Sequence, residues 1–295
     1  MSSLKLAAAQ YPIIEHQSWD GYCAHIEKWV LEAQGGGANL LLFPEYGAMD
    51  ITALMGNDLR QDLSGQIEAL QDFLPDFLRL FSGLAQQQAL WIVAPSIPVR
   101  VGSEYRNRAY VFGPQGQQDY QEKLVMTRFE REVWNIAGGT EPRVFETAFG
   151  TFGINICYDV EFPLIARSQI EAGASLILAP SCTDTLAGYY RVRLGAQARA
   201  LENQCFVVQS PTVGEALWSP AVDENRGAAG IYSPPDYGLP DDGVVLSGEL
   251  DRACWIHADL DLKESARIRR EGQVFNHRDW QDQSRLDRVQ AVVLK

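Results

Sequence analysis

The chain has 295 residues and carries 38 acidic against 25 basic side chains, a formal net charge of −13. That surplus of negative charge works against binding nucleic-acid phosphates or an anionic membrane, and no stretch is long and apolar enough to span a bilayer. The apolar run within Met1–Gln10 is too short for a signal peptide, so a cytoplasmic location is expected. The composition is that of an ordinary globular protein, and no Pro/Gly/Ser-rich linker divides 1–295, which is read as one domain.

Leu4–Gln10 reads as a first strand. Gly21–Gln34 is an amphipathic helix with Ile26, Trp29 and Val30 on one face, stopped by the glycines 35–37. Asn39–Phe43 is a buried strand broken by Pro44 and Glu45. Gly65–Gln88 is helical, and Leu90–Ala94 is another buried strand, ended by Pro95 and Ser96. Tyr105–Phe112 and Gln117–Val125 form a hairpin across Gly113–Gly116, and Thr127–Gly139 is irregular and rich in charge. Thr151–Ile156 is a short strand that leads through Cys157 into a helix, with Phe162, Ile165, Ala166 and Ile170 at helical spacing and Gly173 at its stop. Ser175–Ala179 is a buried strand closed by Pro180 and Ser181, Tyr189–Gln204 a helix, and Phe206–Gln209 a strand with Pro211 just beyond. Gly227–Ser233, Gly243–Leu250 and Ala253–Leu260 read as antiparallel strands. From Asp261 the tail is charged, with Trp280 as an anchor.

The five cysteines, Cys23, Cys157, Cys182, Cys205 and Cys254, are odd in number and scattered, which gives no disulfide framework. The four histidines are too far apart in sequence to suggest zinc, and no glycine-rich phosphate loop or G-x-S-x-G elbow is present. Cys157 stands on a tight strand-to-helix turn. Such a turn lifts a side chain out of the sheet beside free backbone N–H groups, which suits a nucleophile; the alternative is a small buried thiol.

Several apolar strands end in a polar or proline-containing step: Phe43–Glu45, Ala94–Ser96, Cys157–Asp159, Ala179–Ser181 and Gln209–Pro211. In sheets fed by helices, residues just past the strands' carboxyl ends line the ligand crevice. Glu45, Cys157, Ser181 and Cys182 are therefore expected on one rim, within reach of Lys123. A free thiol has a pKa of about 8.5 and needs a base or a cation to act at neutral pH. None of the histidines has a rim position, whereas Glu45 and Lys123 do. Glu45 suits taking the thiol proton and returning it to a leaving amine. Lys123 suits holding the thiolate and then, with the Tyr158 N–H, an oxyanion.

Four segments together give the chain a family resemblance: Leu42-Phe-Pro-Glu45, Tyr120-Gln-Glu-Lys123, Gly153-Ile-Asn-Ile-Cys157-Tyr-Asp159 with Phe162-Pro163, and Ala198-Arg-Ala-Leu-Glu-Asn-Gln204. In this order and spacing the chain resembles the nitrilase superfamily of carbon–nitrogen hydrolases over nearly its whole length. The resemblance implies a Glu–Lys–Cys triad at Glu45, Lys123 and Cys157, with no metal and no cofactor. It also implies an α/β fold, a four-layer α-β-β-α sandwich that pairs with a second subunit, with the tail from about 261 packed on the dimer partner. Family members carry a second glutamate after the lysine loop. Of the two in Thr127–Trp134, Glu130 fits the nitrilase-like spacing and Glu132 the amidase-like one, and Glu130 is taken.

True nitrilases resemble Cys-Trp-Glu after the nucleophile, whereas this chain has Cys157-Tyr-Asp159, which favours an amidase acting on a small amide through a thioester. A nitrilase, an acyltransferase and a non-catalytic binding protein on the same fold are the alternatives. Many similar members carry arginine where Glu161 stands, and in the ω-amidase branch that arginine resembles a carboxylate anchor. Glu161 reverses the charge, so an anionic substrate is expected to be disfavoured, with Glu161 or Asp184 meeting a cationic or hydrogen-bond-donating group. Tyr158 and Cys182 are further expected beside the substrate, and Tyr189 and Trp218 are candidates for an apolar wall with Tyr158. Arg191, Arg193 and Arg199 are expected in ion pairs with acids such as Glu202.

Overall fold

Strand β1 (Leu4–Pro12) explains the architecture through its own alternation. Ala7, Ala9 and Tyr11 enter one buried cluster, and Leu4, Leu6 and Ala8 enter another, so both faces of the strand are covered. The computed structural model describes residues 3–285 and 289–294.

Helix α1 (Trp19–Gly35) is capped by Ser18, whose hydroxyl accepts from the Gly21 N–H, and buries Tyr22, Ile26, Trp29, Val30 and Ala33. After β2 (Leu40–Leu42) comes a 3₁₀ segment at Gly47–Leu54, a short helix α2 (Asn57–Gln61) and the long helix α3 (Leu63–Gln87). The first half closes with β3 (Trp91–Val93), β4 (Ile97–Val101), β5 (Glu104–Phe112) and β6 (Gln118–Glu122). A short helix α4 (Arg128–Glu132) and β7 (Ile136–Ala137) order the segment read as irregular. The second half runs β8 (Val144–Thr147), β9 (Gly150–Ile154), a 3₁₀ turn at Cys157–Glu161, α5 (Pro163–Glu171), β10 (Leu176–Ser181), α6 (Leu186–Asn203) and β11 (Phe206–Glu215). Then come β12 (Glu224–Asn225), β13 (Gly230–Tyr232), β14 (Val244–Ser247), β15 (Cys254–Leu260), α7 (Lys263–Glu271) and α8 (Asn276–Asp279).

One sheet is ordered β15-β1-β2-β3-β5-β6, with β4 and β7 also on β5; the other is ordered β14-β13-β11-β10-β9-β8. They join where the end of β1 pairs in parallel with β11, at Tyr11 with Thr212 and Pro12 with Val213. Ala9, Tyr11, Phe43, Ile92 and Phe112 pack under α1 and α3. Leu6, Ala8, Leu42, Val93 and Val111 share a core with Phe152 and Ile154 of the second sheet, and with Ala166 of α5 and Val192 and Ala196 of α6. The layers are therefore helices, sheet, sheet, helices: the four-layer α-β-β-α sandwich.

Two features of the tail were hidden in the sequence. Helix α7 buries only Ser265 and Ile268 in a charged run, so its period does not show. It and α8 dock on this chain itself: the Arg269 guanidinium of α7 donates to the Asn203 carbonyl at 3.0 Å, and the Arg167 guanidinium donates to the His277 carbonyl at 3.1 Å and lies 5.1 Å from the centre of the Trp280 ring. Trp280 thus acts as an anchor within its own chain.

Gln10, fully buried in β1, spends its whole amide on distant backbone. Its Nε2 donates to the carbonyls of Glu249 and Arg252 at 2.7 and 2.5 Å, and its Oε1 accepts from the Ala229 N–H at 3.0 Å. Gln10→Leu leaves the buried Ala229 N–H without its acceptor and breaks the two part-buried bonds to the Glu249 and Arg252 carbonyls. It is expected to lower unfolding stability by about 2–5 kcal/mol, read from a urea midpoint at unchanged slope.

Candidate active site

At the seam of the two sheets the carboxyl ends of β2, β6, β9 and β10 point the same way, and a cavity of about 610 Å³ opens over them. Glu45 stands three residues past β2, Lys123 directly past β6, Cys157 three past β9 and Cys182 directly past β10. All four line the cavity, as do Glu130, Tyr158 and Glu161.

The Lys123 ammonium sits between two carboxylates, donating to Glu45 Oε1 at 2.8 Å and to Glu130 Oε2 at 2.6 Å. Each of the three side chains is only 1% exposed. Charges so deeply buried persist only if their remaining lone pairs are satisfied. Glu45 Oε1 also accepts from Asn107 Nδ2 at 2.9 Å, and its Oε2 from the Cys182 N–H at 3.1 Å. Glu130 Oε1 accepts from the Tyr46 hydroxyl at 2.7 Å, and its Oε2 from the Thr127 N–H and hydroxyl at 2.9 and 2.8 Å. Thr127 and Glu130 form the capping box of α4, so the same bonds that start this helix aim its glutamate at Lys123.

Cys157 opens the 3₁₀ turn after β9 with φ of 50°, a left-handed conformation that a residue with a Cβ adopts at a cost of about 1–2 kcal/mol. The turn presents the sulfur to the cavity, where it donates to the Cys182 carbonyl at 3.7 Å. Burial, and then the Glu45 carboxylate, hold the Cys157 thiol well above its usual pKa; Lys123 works against them. Burial lifts Glu45 to about 6, with Glu130 adding to the rise and Lys123 opposing it. Burial would drive Lys123 down, but Glu130 and Glu45 hold it well above the usual lysine range. Burial likewise opposes ionisation of Glu130, yet Lys123 keeps its carboxyl below the usual value. At neutral pH the resting groups are a neutral thiol, an ammonium and two carboxylates.

Other expected residues are placed differently. Glu132 faces away and pairs with Arg128 at 2.7 Å on the surface, so Glu130 is the glutamate that reaches Lys123. Ser181, expected on the rim, is fully buried and donates to the Ser210 carbonyl at 3.4 Å, because Pro180 and Ser181 still belong to β10. Glu161 lines the cavity 3.7 Å from Arg191, and Arg199 pairs with Glu202 at 2.5 Å. Tyr189 is buried in α6 and Trp218 lies under the Arg60 guanidinium; the apolar wall is built by Tyr46, Phe129, Trp134, Ala221 and Val222 instead. Cys182 contributes its backbone to Glu45, while its thiol turns to Asn225 Oδ1 at 3.5 Å. Asn107, Tyr46 and Thr127 were not singled out from sequence. Only Thr127 carried a local signal, the Thr-x-x-Glu cap.

A buried thiol, a carboxylate and an ammonium thus line one cavity at the strand ends of an α-β-β-α sandwich. The chain belongs to the carbon–nitrogen hydrolase family, whose model, described as Carbon-nitrogen hydrolase, matches residues 5–240. It is 32% identical over 276 residues to the probable hydrolase YhcX of Bacillus subtilis (strain 168), covering 94% of this chain and 53% of that one. It is 29% identical over 214 residues to the chloroplastic omega-amidase of Arabidopsis thaliana, covering 69% of this chain and 54% of that one. The chain thus spans about half the length of these two relatives. In fold it is similar to the crystal structure of a carbon-nitrogen hydrolase from Helicobacter pylori G27, with a TM-score of 0.75 at 17% identity over 91% of this chain and 92% of that one. Among the described residues no helix is long and apolar enough to cross a membrane.

Proposed function

We propose that the protein is a cysteine-dependent amidase that hydrolyses the C–N bond of a small amide through a thioester. The observation that carries this is the Lys123 ammonium held between Glu45 and Glu130 at the floor of the cavity that Cys157 faces. Cys157 Sγ attacks the amide carbon as its proton passes to Glu45, since the thiol is neutral at rest. The oxyanion forms against Lys123 and the Tyr158 N–H. Collapse breaks the C–N bond while Glu45 gives its proton to the departing ammonia or amine. Water, deprotonated by Glu45, then attacks the thioester; the carboxylic acid leaves and the proton returns to sulfur. Glu130 touches neither reacting atom in this scheme and holds Lys123 charged and aimed.

A mass-spectrometric screen of small amides tests the reading: released ammonia with a transient acyl mass on Cys157 supports it. Ammonia released with no adduct on this cysteine, even after rapid acid quench, would overturn it. Glu45 acts as a base only when ionised, and its pKa stands at about 6. Below that value the protonated fraction grows, so kcat/KM is expected to fall about tenfold per pH unit on the acid side, in a pH–rate profile with its limb near 6.

The mouth of the cavity carries Glu161, Asp184, Asp223 and Glu224 against Arg128 and Arg191, and both arginines already face Glu132 and Glu161. This supports a preference for uncharged or cationic amides. Equal turnover of an amide bearing a carboxylate and its amine counterpart would remove it. An exposed stripe of Leu186, Tyr190 and Leu194 on α6, beside Leu164 of α5, supports a homodimer, which a monomeric sedimentation coefficient at micromolar concentration would rule out. Five unpaired cysteines support a reducing, cytoplasmic setting; recovery of the protein from an oxidising compartment would contradict it.

A further inference from the structure

We infer that Asp159 is a positioning residue: its carboxylate clamps the segment that follows Lys123 to the turn that carries Cys157, and so sets the distance between the ammonium and the sulfur. The inference deepens the amidase reading and rests on it for its kinetic arm.

Lys123 and Cys157 belong to different sheets, Lys123 at the end of β6 and Cys157 after β9. The bonds that seat the lysine's own backbone stay within its half of the molecule: Lys123 N–H donates to the Asn107 carbonyl at 2.9 Å, and Gly139 N–H donates to the Lys123 carbonyl at 2.7 Å. Asp159 reaches across. Its Oδ1 accepts from the Val125 N–H at 2.8 Å and the Leu124 N–H at 3.1 Å; its Oδ2 accepts from Leu124 at 3.1 Å and from the Ile156 N–H at 3.2 Å. One carboxylate thus joins the two residues after the lysine to the residue before the cysteine. Asp159 is fully buried and does not line the cavity, so substrate does not reach it.

The chemistry needs a carboxylate rather than any polar group. Three N–H groups converge on it, and only a side chain with two acceptor oxygens satisfies them all. Burial lifts this carboxyl to about 7, with Lys123 and the Val125 and Leu124 N–H groups pulling the other way, toward the carboxylate that the three donors need. Asparagine has the same shape but turns an NH₂ toward those donors, opening the clamp without removing volume. A displacement on the order of 1 Å between reacting groups costs about 100-fold in rate.

The test is Asp159→Asn in the full chain, compared with the parent. kcat on the amide found in the screen is expected to fall about 100-fold while KM stays within about threefold. Alkylation of Cys157 by iodoacetamide, which needs no substrate, is expected to slow about tenfold because Lys123, the cation that works against the raised thiol pKa, shifts away from it. A folded variant with parental kcat and parental alkylation rate overturns the inference. Lower thermal stability at unchanged kcat also overturns it, since that is a purely structural role. Amide exchange in the unaltered protein decides the matter if the variant does not fold. Leu124 and Val125 N–H groups protected about 1,000-fold or more support the clamp, and exchange at open-chain rates refutes it. The alkylation and exchange arms stand even if no amide is turned over, so failure of the clamp is distinguishable from failure of the amidase reading.

Discussion

Cys157→Ala is expected to lower kcat/KM for the amide substrate by about 10⁵-fold or more and to abolish every acyl adduct on the protein. No other group replaces the sulfur. Cys182 is the second thiol on the cavity, but burial and the Glu45 carboxylate push it up to about 12, and its side chain is directed at Asn225. The histidines His16, His25, His257 and His277 are absent from the cavity lining. Alanine keeps the left-handed turn at the same backbone cost as cysteine, so the loss reports chemistry rather than folding. Residual turnover within 100-fold of the parent, at matched circular dichroism, would mean that another group forms the bond to the substrate. Glu45→Gln provides the companion measurement. Its amide still offers an oxygen to Lys123 and Asn107 but cannot take a proton, so kcat is expected to fall by about 10³-fold with the fold retained.

Lys123→Met is the change expected to cost the most stability. It leaves Glu45 and Glu130 buried side by side with no cation, a loss of about 3–5 kcal/mol by chemical denaturation at pH 8. Both folded-state carboxyl pKa values then rise above their unfolded values. A raised carboxyl pKa contributes stability that is full at low pH and lost as pH rises through the folded value, so the deficit is expected to be smaller at pH 5 than at pH 8. A deficit independent of pH would contradict the description of the site as a charge-compensated triplet. Glu132→Gln is the control. Its partner Arg128 is 88% exposed, and the substitution is expected to change stability by less than about 0.5 kcal/mol and leave kcat unaltered. Glu130→Gln, by contrast, is expected to lower kcat, because the ammonium then keeps only Glu45.

The strands and long helices were readable because their burial follows their own local period. β1, β2, β9, β10, α1, α3 and α6 all fall within a few residues of where the apolar pattern puts them. The segments that were not readable lack such a period. The 3₁₀ stretch at Gly47–Leu54 is buried almost throughout, and α7 is held by two buried residues in a charged run. Tyr189 shows the same limit in the site: an aromatic on α6 reads equally as wall or core, and only the packing of α6 on the second sheet buries it away from the cavity.

By itself the sequence determined which side chains stand past strand ends, and so which groups were available: a thiol on a tight turn, a carboxylate after Pro44, a lysine at the close of a hairpin. The choice between Glu130 and Glu132, the pairing of Glu161 with Arg191 and the service of Asn107, Tyr46 and Asp159 were decided only by tertiary structure. The reason is physical. A strand end is a local property of the chain, whereas the partner of a buried charge is whichever donor another sheet brings within about 3 Å, and local spacing does not encode that distance.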